Sequence, residues 1–145
     1  MGDDKSTGSL CDRNRNSYGR GTRREGYEIL ATGEMGIGNT TTSSAVAAVL
    51  LEKPVEEMTG RGAGLTSAAL KRKQEVIKKA VELHQPDRTD GIDVLAKVGG
   101  FDLGGMAGVF LGGAAKKIPV IIDGFISQRQ PFWQRLFARK SSHIC

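Results

Sequence analysis

The reading of this chain turns on residues 27–52, YEILATGEMGIGNTTTSSAVAAVLLE. Tyr27 to Ala31 is a short apolar run rich in residues that favour extended backbone, and it stops at a segment where Gly33, Gly36 and Gly38 recur. Hydroxyl side chains then take over at Thr40 to Ser44, as they do where helices begin, and AVAAVLLE continues with helix-forming residues. The expected unit is strand, glycine loop, helix. A loop of this kind presents unpaired backbone N–H groups and the positive end of a helix dipole, a combination suited to a phosphate. No lysine stands between the last glycine and Thr40, so the loop is not a Walker motif, and its glycines lack the dinucleotide-fold spacing. An ATPase and a dehydrogenase are disfavoured on that ground. The plain alternative is a tight turn whose glycines only relieve backbone strain.

Downstream, Pro54 can open a helical turn through Met58, and GRGAG at 60–64 separates it from a long helix predicted over Ser67 to His84. There Leu70, Val76, Ile77, Ala80, Val81 and Leu83 form the apolar stripe, with Lys71, Lys73, Lys78 and Lys79 mostly off it. A Pro86–Gly91 connection leads to a short helix near Asp93 to Val98, then to the small-residue segment Leu103 to Ala115. Ile118 to Ile122, IPVII, is a continuous apolar run bounded by Pro and Gly, as expected of a strand covered on both faces. Strands alternating with helices predict an α/β fold with a parallel sheet and right-handed crossovers.

The net charge of +5 is unevenly placed: the first 24 residues carry +3 and the last 18 carry +4, leaving −2 for residues 25–127. No aromatic platform or groove-reading motif accompanies the basic ends, so nucleic acid is not an expected partner. The longest apolar stretch, Gly104 to Ala115, is 12 residues long, short of the roughly 20 that span a bilayer. With no secretory signal visible, a cytoplasmic location is the default. Cys11 and Cys145 have no metal-ligand spacing around them and read as free thiols.

Candidate ligand contacts follow from the loops. Glu34 sits inside the first loop, where it would repel a phosphate unless aimed elsewhere, for instance at a sugar hydroxyl; a helix cap is the alternative reading. Arg61 in the second loop has Glu56 or Glu57 as alternative partners. Lys73, about three turns into its helix, can supply the cation that the first loop lacks, or can simply be solvated. His84 reads as a cap at a helix carboxyl end rather than a catalytic group. Asp123 follows the IPVII strand, where α/β sheets place ligands, although a turn-forming Asp-Gly is nearly as good a reading.

ATGEMGIGNTTTSSAVAAVLL, PVEEMTGRGAGL and VGGFDLGGMAGVFLGGAAKKIPVIIDGFIS, in that order and spacing, resemble the central part of the nicotinate-nucleotide:dimethylbenzimidazole phosphoribosyltransferases of the cobalamin pathway. The resemblance covers residues 22–127. It implies a Rossmann-like parallel sheet with flanking helices, incomplete relative to the family. It also implies transfer of phosphoribosyl from nicotinate mononucleotide to dimethylbenzimidazole with inversion at the anomeric carbon, giving α-ribazole 5'-phosphate and nicotinate. The family needs no metal or organic cofactor and works as a homodimer. Carried over by motif, Glu34, Gly36, Gly38, Asn39, Gly62 and Lys73 surround the nucleotide phosphate and ribose, with Asp123 a further candidate. The family's general base, a glutamate, falls beyond the resembling segment, so no catalytic residue is assigned and the chain is expected to be inactive alone. A base of that kind contributes a factor of roughly 100 to 10,000 in rate. The alternative function is a mononucleotide-binding module without chemistry.

Residues 1–21 and 128–145 lack the family pattern and any clear periodicity. Back-translation of Gly2 to Gly21, read one base later, allows GMTRAQAACAIETGIAMAEE. Allowed codons for Ser127 to Cys145, read from the third base of the Ser127 codon, give SAAAFLAAAVCPEKFTYM. Both join the core as family-like continuations, so the two ends are expected to be frame-shifted.

Overall fold

In the computed structural model the described residues are 26–124, 126 and 127. The expectations about residues 1–21 and 128–145, and about both cysteines, lie outside them. The described residues form two compact units, one made of those up to Met35 together with those from Phe101 onward, the other of Gly36–Gly100.

The first unit is built on two strands, β1 (Leu30–Thr32) and β2 (Val120–Ile122). They pair in parallel with Leu30, Ala31 and Thr32 opposite Val120, Ile121 and Ile122. The ladder is extended by the Leu30 amide donating to the Pro119 carbonyl at 2.9 Å and the Asp123 amide donating to the Thr32 carbonyl at 3.1 Å. The parallel α/β arrangement is the predicted one, but both strands are shorter than expected. Tyr27 and Ile29 are 57% and 58% exposed, so the apolar run before Leu30 is not drawn into the sheet.

A helix over Phe101–Lys116 packs on both strands. The sequence leaves this glycine-rich segment without an element type, because each glycine costs a helix roughly 1 kcal/mol against alanine. Close approach offsets that cost. A Cβ on Gly113 would stand 2.5 Å from Val120 Cγ2 and 2.9 Å from the Ile118 carbonyl oxygen, so only a glycine lets helix and strand meet. The expectation that IPVII is covered on both faces is not met. Side chains alternate across a strand, and Ile121 points to the face opposite Thr32, where it is 55% exposed.

The second unit is all helical. We number its helices α1 (Thr40–Leu51), α2 (Val55–Met58), α3 (Ser67–His84) and α4 (Gly91–Val98), and the helix of the first unit α5. Helix α1 carries no charged residue and is the core of its unit, with Ala45, Val46, Ala47, Ala48 and Leu50 buried and α2, α3 and α4 packed around it. Its start is fixed by the predicted hydroxyls, since Thr42 and Ser43 donate to the Asn39 carbonyl at 2.9 and 2.7 Å. Helix α4 begins two residues before the expected Asp93 because Asp90 caps it, its carboxylate accepting from the Ile92 and Asp93 amides.

Helix α3 has the predicted bounds but a rotated buried face. Ile77 and Lys73 are its buried residues, whereas Val76 is 51% and Leu83 78% exposed. At 3.6 residues per turn, Leu70, Lys73, Ala80 and Val81 fall within about 60° of Ile77, while Val76 and Leu83 lie about 100° or more away. Val76 consequently borders an open apolar hollow of about 210 Å³ with Ala45, Ala80 and Val98. No helix among the described residues is long and apolar enough to cross a membrane.

Candidate functional site

The buried position of Lys73 is the most informative departure from the expected stripe. Its side chain is carried inward by α3 until the ammonium reaches the first turn of α1, donating to Thr40 Oγ1 at 2.8 Å and, more weakly, to the Gly60 carbonyl at 3.5 Å. Lys73 is 9% exposed. Burial lowers its pKa from the usual lysine value, because a charge is costly to remove from water. Both oxygens that meet it are neutral. A buried cation normally has a carboxylate beside it, and among the described residues none pairs with Lys73.

The surrounding backbone is shaped for close approach. Gly36 and Gly38 have φ of 73° and 78°, and Gly62 has φ of 55°, in the left-handed region that glycine adopts without penalty. A Cβ on Gly62 would lie 3.4 Å from Thr40 Oγ1, so the second glycine loop rests against the residue that also receives Lys73. Asn39 is the N-cap residue of α1, and its side chain makes no capping hydrogen bond. Gly36, Gly38, Asn39, Gly62 and Lys73 are therefore all part of the second unit, gathered at the amino terminus of α1 through the first loop or through Thr40.

Arg61 bonds neither Glu56 nor Glu57. Its guanidinium donates to the Leu65 carbonyl at 2.8 Å and to the Ser67 hydroxyl at 3.0 Å, bracing the loop that contains Gly62. Glu56 pairs instead with Lys78. His84 ends α3 as expected, exposed and followed by a left-handed Gln85.

The remaining two candidates belong to the first unit. Glu34 follows β1 and Asp123 follows β2, so parallel pairing puts both beyond the carboxyl ends of adjacent strands, where open α/β sheets bind ligands. The Glu34 carboxylate is set toward the turn after β2: a Cβ on Gly124, whose φ is 96°, would stand 3.0 Å from Oε1. Asp123 is exposed. Beside them an open cleft of about 240 Å³ is bordered by Thr32, Gly33, Asp102, Met106 and Val109. Sequence reasoning missed Thr40 and Asp102. The first was signalled by its place directly after the loop, the second by its place at the start of α5. Among the described residues no group of three or more His, Cys, Asp or Glu side chains could hold a metal ion.

A loop-bound helix terminus with a buried, uncompensated lysine is the equipment of a phosphate-handling protein. The comparisons agree: a family model described as "Phosphoribosyltransferase" matches residues 17–141. Curated relatives named nicotinate-nucleotide–dimethylbenzimidazole phosphoribosyltransferase include that of Roseiflexus sp. (strain RS-1), 64% identical over 102 residues, 70% of this chain and 29% of that protein. That of Acetivibrio thermocellus is 62% identical over 104 residues, 72% of this chain and 30% of the relative. Among solved structures, CobT from Thermus thermophilus superposes with a TM-score of 0.80 at 32% identity, covering 92% of this chain and 40% of that one. The chain belongs to the nicotinate-nucleotide–dimethylbenzimidazole phosphoribosyltransferase family, and it spans about 30% of the length of the curated relatives it matches.

Proposed function

We propose that this chain carries the nucleotide-phosphate half of a phosphoribosyltransferase site that takes nicotinate mononucleotide, the family's donor, for transfer to dimethylbenzimidazole. The observation that carries the reading is the Lys73 ammonium, buried with no carboxylate partner among the described residues and held at Thr40, the first residue of the helix behind the glycine loop. The Gly36 and Gly38 segment and Gly62 supply backbone N–H groups and leave room for phosphate oxygens, Asn39 stands at the same helix end, and Lys73 supplies charge. Glu34, at the strand end of its own unit, is aimed at a sugar hydroxyl rather than at the phosphate, which a carboxylate would repel, and Asp123 beside it is a further candidate contact.

In the transfer, the acceptor nitrogen attacks the anomeric carbon, the bond to nicotinate breaks, and a base takes the acceptor's proton. Phosphate contacts of the kind assigned here hold the donor in place while that occurs, a positional contribution. No residue of the chain is assigned as the base, so binding without turnover is the expected behaviour of the isolated chain. The share of the relatives' length that it spans favours this over full activity. By family, the working assembly is a homodimer in the cytoplasm, with no metal or organic cofactor. Residues 22–127 are the family core in this reading, with residues 1–21 and 128–145 frame-shifted. The nucleotide sequence of the locus tests that last point, because codons incompatible with either shifted peptide end it.

Calorimetric titration with nicotinate mononucleotide, followed by chromatography for nicotinate after dimethylbenzimidazole is added, tests the function. Binding without nicotinate release is the expected result, release identifies a base in the chain, and no binding refutes the reading.

A further inference from the structure

We propose that Thr40 is a positioning residue, acting on the nucleotide phosphate through Lys73 by taking one of its N–H groups and fixing where the rest of its charge is directed. This rests on the functional reading above. A lysine ammonium has three donors on a flexible stem, and its direction is set only by what accepts from it. Here the acceptors are Thr40 Oγ1 at 2.8 Å and the Gly60 carbonyl at 3.5 Å, so the short contact is the side-chain one. The bond joins residues 33 positions apart and links the helix that follows the first glycine loop to the helix that follows the second.

Thr40 differs from its neighbours. Thr42 and Ser43 turn their hydroxyls back to the Asn39 carbonyl, a local bond that serves the helix end. Thr40 makes no such bond among the described residues. It accepts from Lys73 and lies against Gly62, where an added Cβ would stand 3.4 Å from its oxygen, in van der Waals contact. The hydroxyl thus has its own proton to give in the same neighbourhood.

Among the described residues of this unit no ionised group competes for this role. Helix α1 has no charged side chain, and on α2 Glu56 is paired with Lys78 and Glu57 is exposed. Arg61 is committed to Leu65 and Ser67, and on α4 Asp93 and Lys97 pair with each other at 2.9 Å. On α3 itself Lys71, Arg72, Glu75 and Lys79 are turned away from the buried face that carries Lys73. The lowering of the Lys73 pKa by burial fits an ammonium with only neutral partners.

The test reads Lys73 itself. The whole chain is labelled with lysine carrying 13C at Cε, and the Lys73 resonance is assigned by its absence in Lys73→Arg. It is then titrated with pH in the unsubstituted chain, Thr40→Val, Thr40→Ala and Thr40→Ser, each also titrated with nicotinate mononucleotide. The expected results are a Lys73 midpoint below that of the other lysines, a further fall in Thr40→Val and Thr40→Ala, and recovery in Thr40→Ser. Affinity should follow the same order, weakened about tenfold without the hydroxyl, the size of one hydrogen bond to a charged group. An unmoved midpoint in both Thr40→Val and Thr40→Ala overturns the proposal, as does Thr40→Ser behaving like Thr40→Val, or a Lys73 midpoint equal to that of the exposed lysines. A midpoint that moves in a chain that binds no nicotinate mononucleotide supports the Thr40–Lys73 contact and overturns the functional reading instead.

Discussion

Replacing Lys73 by methionine should separate binding from folding. Methionine keeps an unbranched stem for the space that Lys73 fills, at 9% exposure, and removes the ammonium. A hydrogen bond to a charged group contributes about 1.5 to 3 kcal/mol, so affinity for nicotinate mononucleotide should fall by a factor of about 10 to 150. Stability should move the other way or not at all. The Lys73 pKa is depressed by burial, so in the range between that pKa and the ordinary lysine value the unfolded chain holds more protons than the folded one. Folding stability therefore rises with pH through that range, and the penalty for the buried charge is fully present below it. Methionine removes the penalty, so Lys73→Met should melt no earlier than the unsubstituted chain at neutral pH and should lack this pH slope. Binding has the opposite sign: an anion favours the ammonium, so affinity should weaken as pH climbs past the depressed pKa. Calorimetry for affinity and scanning calorimetry for stability, both across pH, give the two readouts. Unchanged affinity with a melting temperature several degrees lower would refute the reasoning, since it would make Lys73 a structural residue.

Three other outcomes are expected. Gly62→Ala places a side chain at φ of 55°, so denaturant titration should show a loss of about 1 to 2 kcal/mol from left-handed strain, with nucleotide affinity falling if the loop relaxes to relieve it. Gly113→Ala drives a methyl to 2.5 Å from Val120 and should cost about 1 to 3 kcal/mol through overpacking, a loss that Gly113→Ala with Val120→Ala should partly recover. The Asp93 carboxylate is held below the usual range by the Asp87 amide at 2.6 Å and, less strongly, by Lys97. Its contribution is therefore present above the ordinary aspartate pKa and lost as pH falls through the depressed value, so Asp93→Asn should cost about 1 kcal/mol at neutral pH and nothing in strong acid, read by melting at each pH.

Elements of the fold with local causes were legible in the sequence. Helix α3 has the predicted bounds because its ends are written in short-range chemistry, Thr66 accepting from the Ala69 amide at one end and Gln85 closing the other before Pro86. Helix α5 was not legible, because a run with glycine at 104, 105, 108, 112 and 113 reads as a poor helix until the strand it must approach is known. The covering of β2 fails for a related reason. IPVII has the composition of a strand enclosed on both faces, but composition does not say which neighbours are present, and Ile121 is more than half exposed.

The site shows the same division with one inversion. The glycine loops are legible because a positive φ narrows the choice of residue at that position, and Gly36, Gly38 and Gly62 all have one. Thr40 is not, because threonine opens many helices for local reasons, and only the arrival of Lys73 from a helix 33 residues away distinguishes it from Thr42. The rule that lysines avoid the apolar stripe puts Lys73 on the solvated side, whereas the first loop's want of a cation puts it at the site. Those two readings conflict, and the fold buries Lys73 against the first turn of α1 rather than leaving it solvated. A lysine buried at the position where a helix repeat calls for a leucine gives up hydration that an exposed one keeps. Seating it beside two neutral oxygens does not return that loss. A sequence under selection for stability alone would fill the position with an apolar side chain, so the retained charge supports the proposed role, in which an anion arriving at the amino terminus of α1 supplies the missing partner.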